Sequence, residues 1–360
     1  MPAEACQARA PVLVTAMPGR QDTSAFGDQQ TRFFYELTPE RMLDAVEAHG
    51  LLLTGRAMAL NSMENRVYQL EIELEDDQKG SPTSFCVAKF YRPGRWSREQ
   101  VLEEHTFLAD LANEEIPVVP PLADGDGETL HLDESTGIMF ALFPRVGGRS
   151  PDELDDGQLA QLGRLLARLH NVGATRKTEH RLHITPRSYG LNNLDWLVDN
   201  DELPTGVCDN YRSTVETICE LSEPWFEDVA VQRIHGDCHL ANVIWGGQGL
   251  FLVDFDDMLV GPPVQDLWLL VPGRDDYARG QRERLLEAYE EMREFDRGSL
   301  RLVEVLRALR IVHFSAWIAR RWEDPAFQKV FPDFGSDRYW FEELGILQEQ
   351  LSLVREQAWG

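Results

Sequence analysis

From Thr38 onward the apolar positions follow two different rhythms, and the change between them divides the chain. Pro39–His49 has helical spacing with Thr38 as its cap, and strand-like runs follow at Ala57–Leu60, Val67–Leu74 and Phe85–Tyr91. Residues 61–66 separate the first two runs. A helix is expected over Arg98–Asn113, then strands at Thr129–Leu132 and Gly137–Pro144. Pro144-Arg145-Val146-Gly147-Gly148 interrupts both rhythms, and beyond it the pattern turns helical. Leu159, Leu162, Leu165, Leu166 and Leu169 form one face of a helix over Asp156–Val172. Leu302, Val305, Leu306, Leu309, Val312, Ala316 and Trp317 keep the same spacing over several turns. Only Arg233–Asp257 returns to short strands and turns. An α+β chain is therefore expected, with a small antiparallel β-rich lobe followed by a larger, mainly helical one.

The boundaries that follow are a flexible N-terminal tail over 1–30, a sheet lobe over 31–143, a hinge over 144–148 and a helical lobe over 149–360. At 360 residues the chain is long enough for two such lobes. Its 35 Lys and Arg against 61 Asp and Glu give a net charge of −26, which repels nucleic-acid phosphates and anionic lipid. The bland reading of that charge is solubility. Cys6, Cys86, Cys208, Cys219 and Cys238 are odd in number and contain no CxxC pair, so neither a disulfide framework nor a zinc knuckle is expected. No segment approaches the roughly 18 consecutive apolar residues of a membrane helix. A soluble cytoplasmic monomer is expected, with neither nucleic acid nor membrane as partner.

The chemistry concentrates in residues 234–257, IHGDCHLANVIWGGQGLFLVDFDD. Asp237 stands in a tight turn, Asn242 lies five residues later, and Asp254 ends a strand expected over Leu250–Val253. A carboxylate in a turn can take the proton of an acceptor hydroxyl. A neutral amide oxygen and a carboxylate oxygen are hard donors of the kind magnesium prefers. Together these parts suit phosphoryl transfer. A lone HGD would be weak evidence, and an Asp–Asn turn that satisfies its own backbone is the plain structural alternative. Asp256 reads either as an aid to the metal or as a solvated turn carboxylate.

With these residues the chain resembles the aminoglycoside phosphotransferase and choline kinase-like group, whose fold is related to the eukaryotic protein kinases. Further matching stretches are LNSMENRVYQLEIE (60–73), VAKFYRPGRWSREQVLEEH (87–105), EIPVVPPL (115–122) and GPPVQDLWLLVPG (261–273), and the resemblance spans about 33–350. It implies a protein-kinase-like two-lobed fold, ATP and Mg2+ as cofactors, Asp237 as catalytic base, and Asn242 and Asp254 as magnesium ligands. It favours the bacterial Ser/Thr protein kinases of the group. Protein substrates with Ser or Thr acceptors, autophosphorylation and a part in a stress response are then expected.

Lys89 resembles the kinase strand lysine that grips the nucleotide phosphates. Glu104 shares a helix face with Val101, Leu108 and Leu111, so it points inward and needs a cation, for which Lys89 is the natural partner. Glu103, about 100° around the helix, reads as its solvent-facing neighbour. Ser62, in the glycine-free loop Asn61–Asn65, is a candidate nucleotide contact or part of an ordinary hairpin turn. The Phe143–Val146 backbone could present donors and acceptors to adenine, whereas Phe140 reads as core. Asp266 and His235 read as groups that hold the catalytic turn, and His170 as a buried structural histidine. The aromatic stretch Trp317–Trp340 lines the cleft or, more commonly for such residues, fills helical core.

Gly236 stands where eukaryotic protein kinases usually carry Arg, so regulation by activation-loop phosphorylation is not expected. Two further functions compete with the protein kinase. One is a small-molecule kinase for an amino-alcohol or aminoglycoside, which the acidity would suit. The other is a nucleotide-binding regulator without catalysis, against which the intact Lys89, Asp237, Asn242 and Asp254 argue.

Overall fold

A computed structural model describes residues 34–73, 84–247 and 249–359. The expected tail over 1–30 lies outside the described residues. By internal contact the chain divides into two compact units. One takes in the described residues of Gly27–Arg181 together with Val231–Phe295, and the other takes in Leu182–Ala230 and Asp296–Gly360.

The first unit opens with helix α1 (Pro39–Glu47), whose N-cap Thr38 accepts a hydrogen bond from the Arg41 amide. An antiparallel sheet of five strands follows: β1 (Leu53–Ala59), β2 (Arg66–Ile72), β3 (Phe85–Phe90), β4 (His131–Asp133) and β5 (Ile138–Pro144), in the order β1-β2-β3-β5-β4. Strand β1 begins four residues earlier than the apolar run suggested. It is an edge strand with only Leu53 buried, so its first half carries little apolar signal. Alternation along the central strand β3 decides what each face does. Cys86, Ala88 and Phe90 enter the core beneath α1, with Met42, Val46, Leu70 and Phe140, while Lys89 points to the opposite face. Phe140 is wholly buried and stacks on Phe90 with centroids 5.0 Å apart, as core.

Helix α2 (Arg98–Asn113) starts at a capping box in which Ser97 and Gln100 satisfy each other's backbone amides. Val101, Glu104, Leu108 and Leu111 are all buried along one face, so an inward-facing glutamate is built into the helix. Beyond β5, residues 145–148 adopt neither helix nor strand. They run against a hairpin of β7 (Val243–Gly246) and β8 (Gly249–Leu252), reached after β6 (Gln232–Ile234). Arg149 and Trp245 exchange backbone hydrogen bonds at 2.9 Å. A Cβ on Gly246 would lie 2.1 Å from the Gly147 carbonyl oxygen, so this approach requires glycine.

The unit closes with α3 (Asp156–Gly173), β9 (Leu259–Gly261) beside β6, and helices α6 (Val264–Leu270) and α7 (Asp276–Glu290). The second unit is helical, comprising α4 (Asn192–Asp199), α5 (Thr205–Glu227), α8 (Val303–Arg320), α9 (Pro325–Val330) and α10 (Asp337–Trp359). Within it Phe327, Phe334 and Trp340 are buried, and Trp340 meets Tyr211 edge-on, so these aromatics are helical core. Cys86, Cys219 and Cys238 are free thiols, but Cys208 on α5 is disulfide-bonded, which cysteine spacing had not suggested. Among the described residues no helix is long and apolar enough to cross a membrane.

Candidate functional site

Asp237 follows β6 through a turn that only Gly236 can make. Gly236 has φ +85°, and a Cβ there would sit 2.3 Å from the Asp257 carbonyl oxygen. Backbone geometry therefore requires glycine where protein kinases usually have Arg. Asp266, from α6, holds the turn from behind: its Oδ1 accepts from the Gly236 amide at 2.8 Å and its Oδ2 from the His235 amide at 2.9 Å. His170 lies 3.1 Å from Asp266 through Nε2 and 2.9 Å from the Tyr289 hydroxyl through Nδ1, all buried. The His235 Nε2–H donates to the Val253 carbonyl at 2.9 Å, which joins the Asp237 turn to the strand leading into Asp254. His239 Nε2 lies 3.3 Å from Asp237 Oδ2.

Asn242 and Asp254 are fixed from the same elements. The Asn242 side-chain amide donates to the Asp237 carbonyl at 3.0 Å, and the Asn242 carbonyl accepts from the Val253 amide at 3.0 Å. With its nitrogen thus engaged, the Asn242 Oδ1 has no partner among the described residues. Asp254 has φ +60° and ψ +66°, left-handed backbone that Asp tolerates better than most residues, and its side chain is about half exposed. One neutral amide oxygen and one carboxylate are hard donors of the kind that suits a magnesium ion. No group of three or more His, Cys, Asp or Glu among the described residues forms a separate metal cluster.

Lys89 lies across from this segment. Its Nζ is 3.7 Å from Glu104 Oε1, 3.4 Å from Asp254 Oδ1 and 3.1 Å from Asp256 Oδ1. Burial opposes the Lys89 charge, but Asp256, Glu104 and Asp254 outweigh it and hold its pKa well above the ordinary lysine value. Asp256 is buried, not a solvated turn carboxylate, because Arg95 Nη1 reaches its Oδ2 at 2.6 Å. Burial would raise its pKa, but Lys89, Arg95 and Arg181 drive it well below the usual carboxylate range. Arg95 also pairs with Asp257.

Three arginines in this network, Arg92, Arg95 and Arg181, are not among the site residues expected from the sequence. Arg181 donates to Glu104 Oε2 at 2.9 Å, to the Asp256 carbonyl at 2.7 Å and to the Gln100 carbonyl at 2.8 Å. Glu103 is not a solvent-facing neighbour: it accepts from the backbone amides of Glu179, His180 and Arg181 at 2.6–3.1 Å, and so shapes the loop that carries Arg181. Arg92 explains the glycine-free loop at 61–65. Its Nε donates to the Glu64 carbonyl at 2.9 Å, its Nη2 to the Met63 carbonyl at 3.2 Å, and its amide to Asn65 Oδ1 at 3.1 Å. The available signal was RPGR, two cations either side of a Pro-Gly turn directly after the Lys89 strand. Arg181 had none.

The nucleotide candidates are spread over the sheet. Ser62 Oγ accepts from the Asn65 amide at 3.3 Å, which is the hairpin-turn role. Phe143 is partly buried and meets the His105 ring edge-on at 6.3 Å, and the Val146 amide has no partner among the described residues. Lys89, Glu104 and Asp254 are brought together, whereas Ser62 lies in the loop before β2, Phe143 in β5 opposite Val87 of β3, and Val146 in the connector.

Residues 59–303 match the family described as the phosphotransferase enzyme family. Stress response kinase A of Escherichia coli K12 is 40% identical over 324 residues, covering 90% of this chain and 95% of that protein. Serine/threonine protein kinase RdoA of Salmonella typhimurium is 39% identical over the same shares. Among solved structures, amicoumacin kinase hAmiN in complex with AMP-PNP, Ca2+ and Ami superposes with TM-score 0.66 at 17% identity, over 90% of this chain and 96% of that one. That likeness concerns the fold, which is kinase-like.

Proposed function

The chain belongs to the phosphotransferase enzyme family, and on that premise we propose that it is an ATP- and Mg2+-dependent Ser/Thr protein kinase that also phosphorylates itself. The observation that carries the reading is the joint placement of Asp237, Asn242 and Asp254 beside the buried Lys89. In it, Lys89 receives the α- and β-phosphates, and the Val146 and Phe143 backbone faces the adenine. Magnesium held by Asn242 and Asp254 would neutralise charge on the transferring phosphoryl group. Asp237 accepts the proton of the Ser or Thr hydroxyl as its oxygen bonds to the γ-phosphorus and the bond to ADP breaks. The hydrogen bonds that Asp266 accepts from this turn and that Asn242 donates to it keep the Asp237 carboxylate aimed at the acceptor.

The protein acceptor rests on the two relatives, both named as kinases and one of them as a serine/threonine protein kinase. The test is incubation with labelled ATP and magnesium, followed by mass analysis for phosphate on Ser or Thr. Asp237→Asn should abolish transfer and leave ATP binding nearly intact. Undiminished turnover in that variant would show the base to be another residue.

The net charge of −26 favours a second reading, a kinase acting on a cationic small molecule such as an amino-alcohol or aminoglycoside. ADP release measured against a panel of amines and a panel of proteins separates the two. Release only with an amine would overturn the protein-kinase reading.

A further inference from the structure

The pairing around Lys89 departs from a simple lysine–glutamate couple. Lys89 has its shortest ion pair with Asp256, at 3.1 Å, and its longest with Glu104, at 3.7 Å. Glu104 in turn has a closer cation in Arg181, at 2.9 Å. Asp256 Oδ1 lies 3.1 Å from Lys89 as an ion pair without a hydrogen bond, the Lys89 hydrogen bond going to Asp254 Oδ1 at 3.4 Å, while Asp256 Oδ2 accepts from Arg95 at 2.6 Å and its backbone carbonyl from Arg181 at 2.7 Å. Arg95 and Arg181 both lie against the Trp96 ring, at 4.9 and 4.6 Å from its centroid, which restrains both guanidinium groups.

We propose that Asp256, held by Arg95, is the residue that positions Lys89 for the nucleotide phosphates, with Glu104 committed first to Arg181. The proposal rests on the reading of Lys89 as a nucleotide ligand. Its physical basis is that a buried ammonium keeps one orientation only if a fixed counter-charge stays with it. Asp254 is a poor candidate, since it is half exposed and its carboxylate suits the metal. Asp256 is 3% exposed and its carboxylate is already divided between two cations, so it is a positioning residue and not a metal ligand. Lys89 therefore keeps its anchor when Asp254 turns to the metal.

The test is equilibrium binding of labelled ATP to the full chain in EDTA, with thermal unfolding used to correct for folded protein. Removing the metal silences any ligand role of Asp256. Lys89→Met defines the loss expected when the lysine is missing. Asp256→Asn should weaken metal-free binding by at least about ten-fold, close to Lys89→Met, while Glu104→Gln loses clearly less. Arg95→Lys, which keeps the charge but not the fork, should fall between wild type and Asp256→Asn, and it serves in its place if the latter does not fold. Wild-type affinity in Asp256→Asn, or in Arg95→Lys where that substitutes for it, would overturn the proposal. So would a larger loss in Glu104→Gln. Unchanged metal-free binding with a raised magnesium requirement for turnover would make Asp256 a metal ligand instead. If Lys89→Met binds ATP as tightly as wild type, the reading of Lys89 itself fails, which is a different result from any of these.

Discussion

Replacing Gly236 with Ala is the smallest change that tests how the Asp237 turn is built. The substitution adds one methyl group to a residue at φ +85°. Left-handed backbone costs a residue with a Cβ about 1–2 kcal/mol. The new carbon would lie 2.3 Å from the Asp257 carbonyl oxygen, 3.0 Å from Leu259 Cγ and 3.2 Å from the Asp257 carbonyl carbon. Two of those atoms are backbone, so no side-chain rotation relieves the overlap, and overpacking of this kind costs about 1–3 kcal/mol. The sum is roughly 2–5 kcal/mol of stability. The damage is also directed. The atom pushed aside belongs to the turn Phe255–Asp257, which follows Asp254 directly, and Gly236 itself donates its amide to Asp266 at 2.8 Å. Denaturant unfolding should show the loss, and turnover per folded molecule should fall by at least about ten-fold as Asp237 and Asp254 lose alignment. Gly236→Arg should be worse still, so the Arg of protein kinases cannot simply be restored here. A Gly236→Ala protein within about 0.5 kcal/mol of wild type and with full turnover would refute the argument.

Two other predictions test the surroundings. His105 is buried between the Tyr91 hydroxyl at 3.0 Å and Thr129 Oγ1 at 2.8 Å, and burial, then the Lys89 and Arg181 charges, push its pKa down to about 3. The unfolded chain then takes up the proton first, so its contribution is complete above about pH 6.5 and is lost towards pH 3, by up to about 1.4 kcal/mol per unit. His105→Gln should flatten the fall in stability between about pH 6.5 and pH 4, measured by urea unfolding; an unchanged slope would place the acid sensitivity elsewhere. Glu103→Ala removes the acceptor of three backbone amides and should cost about 1–2 kcal/mol, with faster amide exchange at Glu179, His180 and Arg181. Unaltered exchange at those three would mean that the loop holds without it.

Several parts of this architecture can be read from short stretches of chain. Helix α2 follows from a capping box and a four-residue rhythm, and the rhythm alone turns Glu104 inward beside Val101, Leu108 and Leu111. Asp237, Asn242 and Asp254 lie within one segment whose turns and strand are local, so their grouping shows in the spacing. Strand β1 shows less clearly in the sequence, since an edge strand with one buried residue carries little alternation.

What only the tertiary structure decided is which charge meets which. Glu104 and Arg181 are separated by 77 positions, Arg95 and Asp256 by 161, and Lys89 and Asp254 by 165. A periodic pattern carries the direction a side chain takes from its own helix or strand, but nothing about the partner that packing brings to it. The sequence alone determined that Glu104 turns inward and needs a cation, and it grouped Asp237, Asn242 and Asp254 within 234–257. Folding chose Arg181 as the nearer cation, buried Asp256 beside Lys89, and left Gly236 no room for a side chain. Those outcomes depend on close approach between segments far apart in the chain.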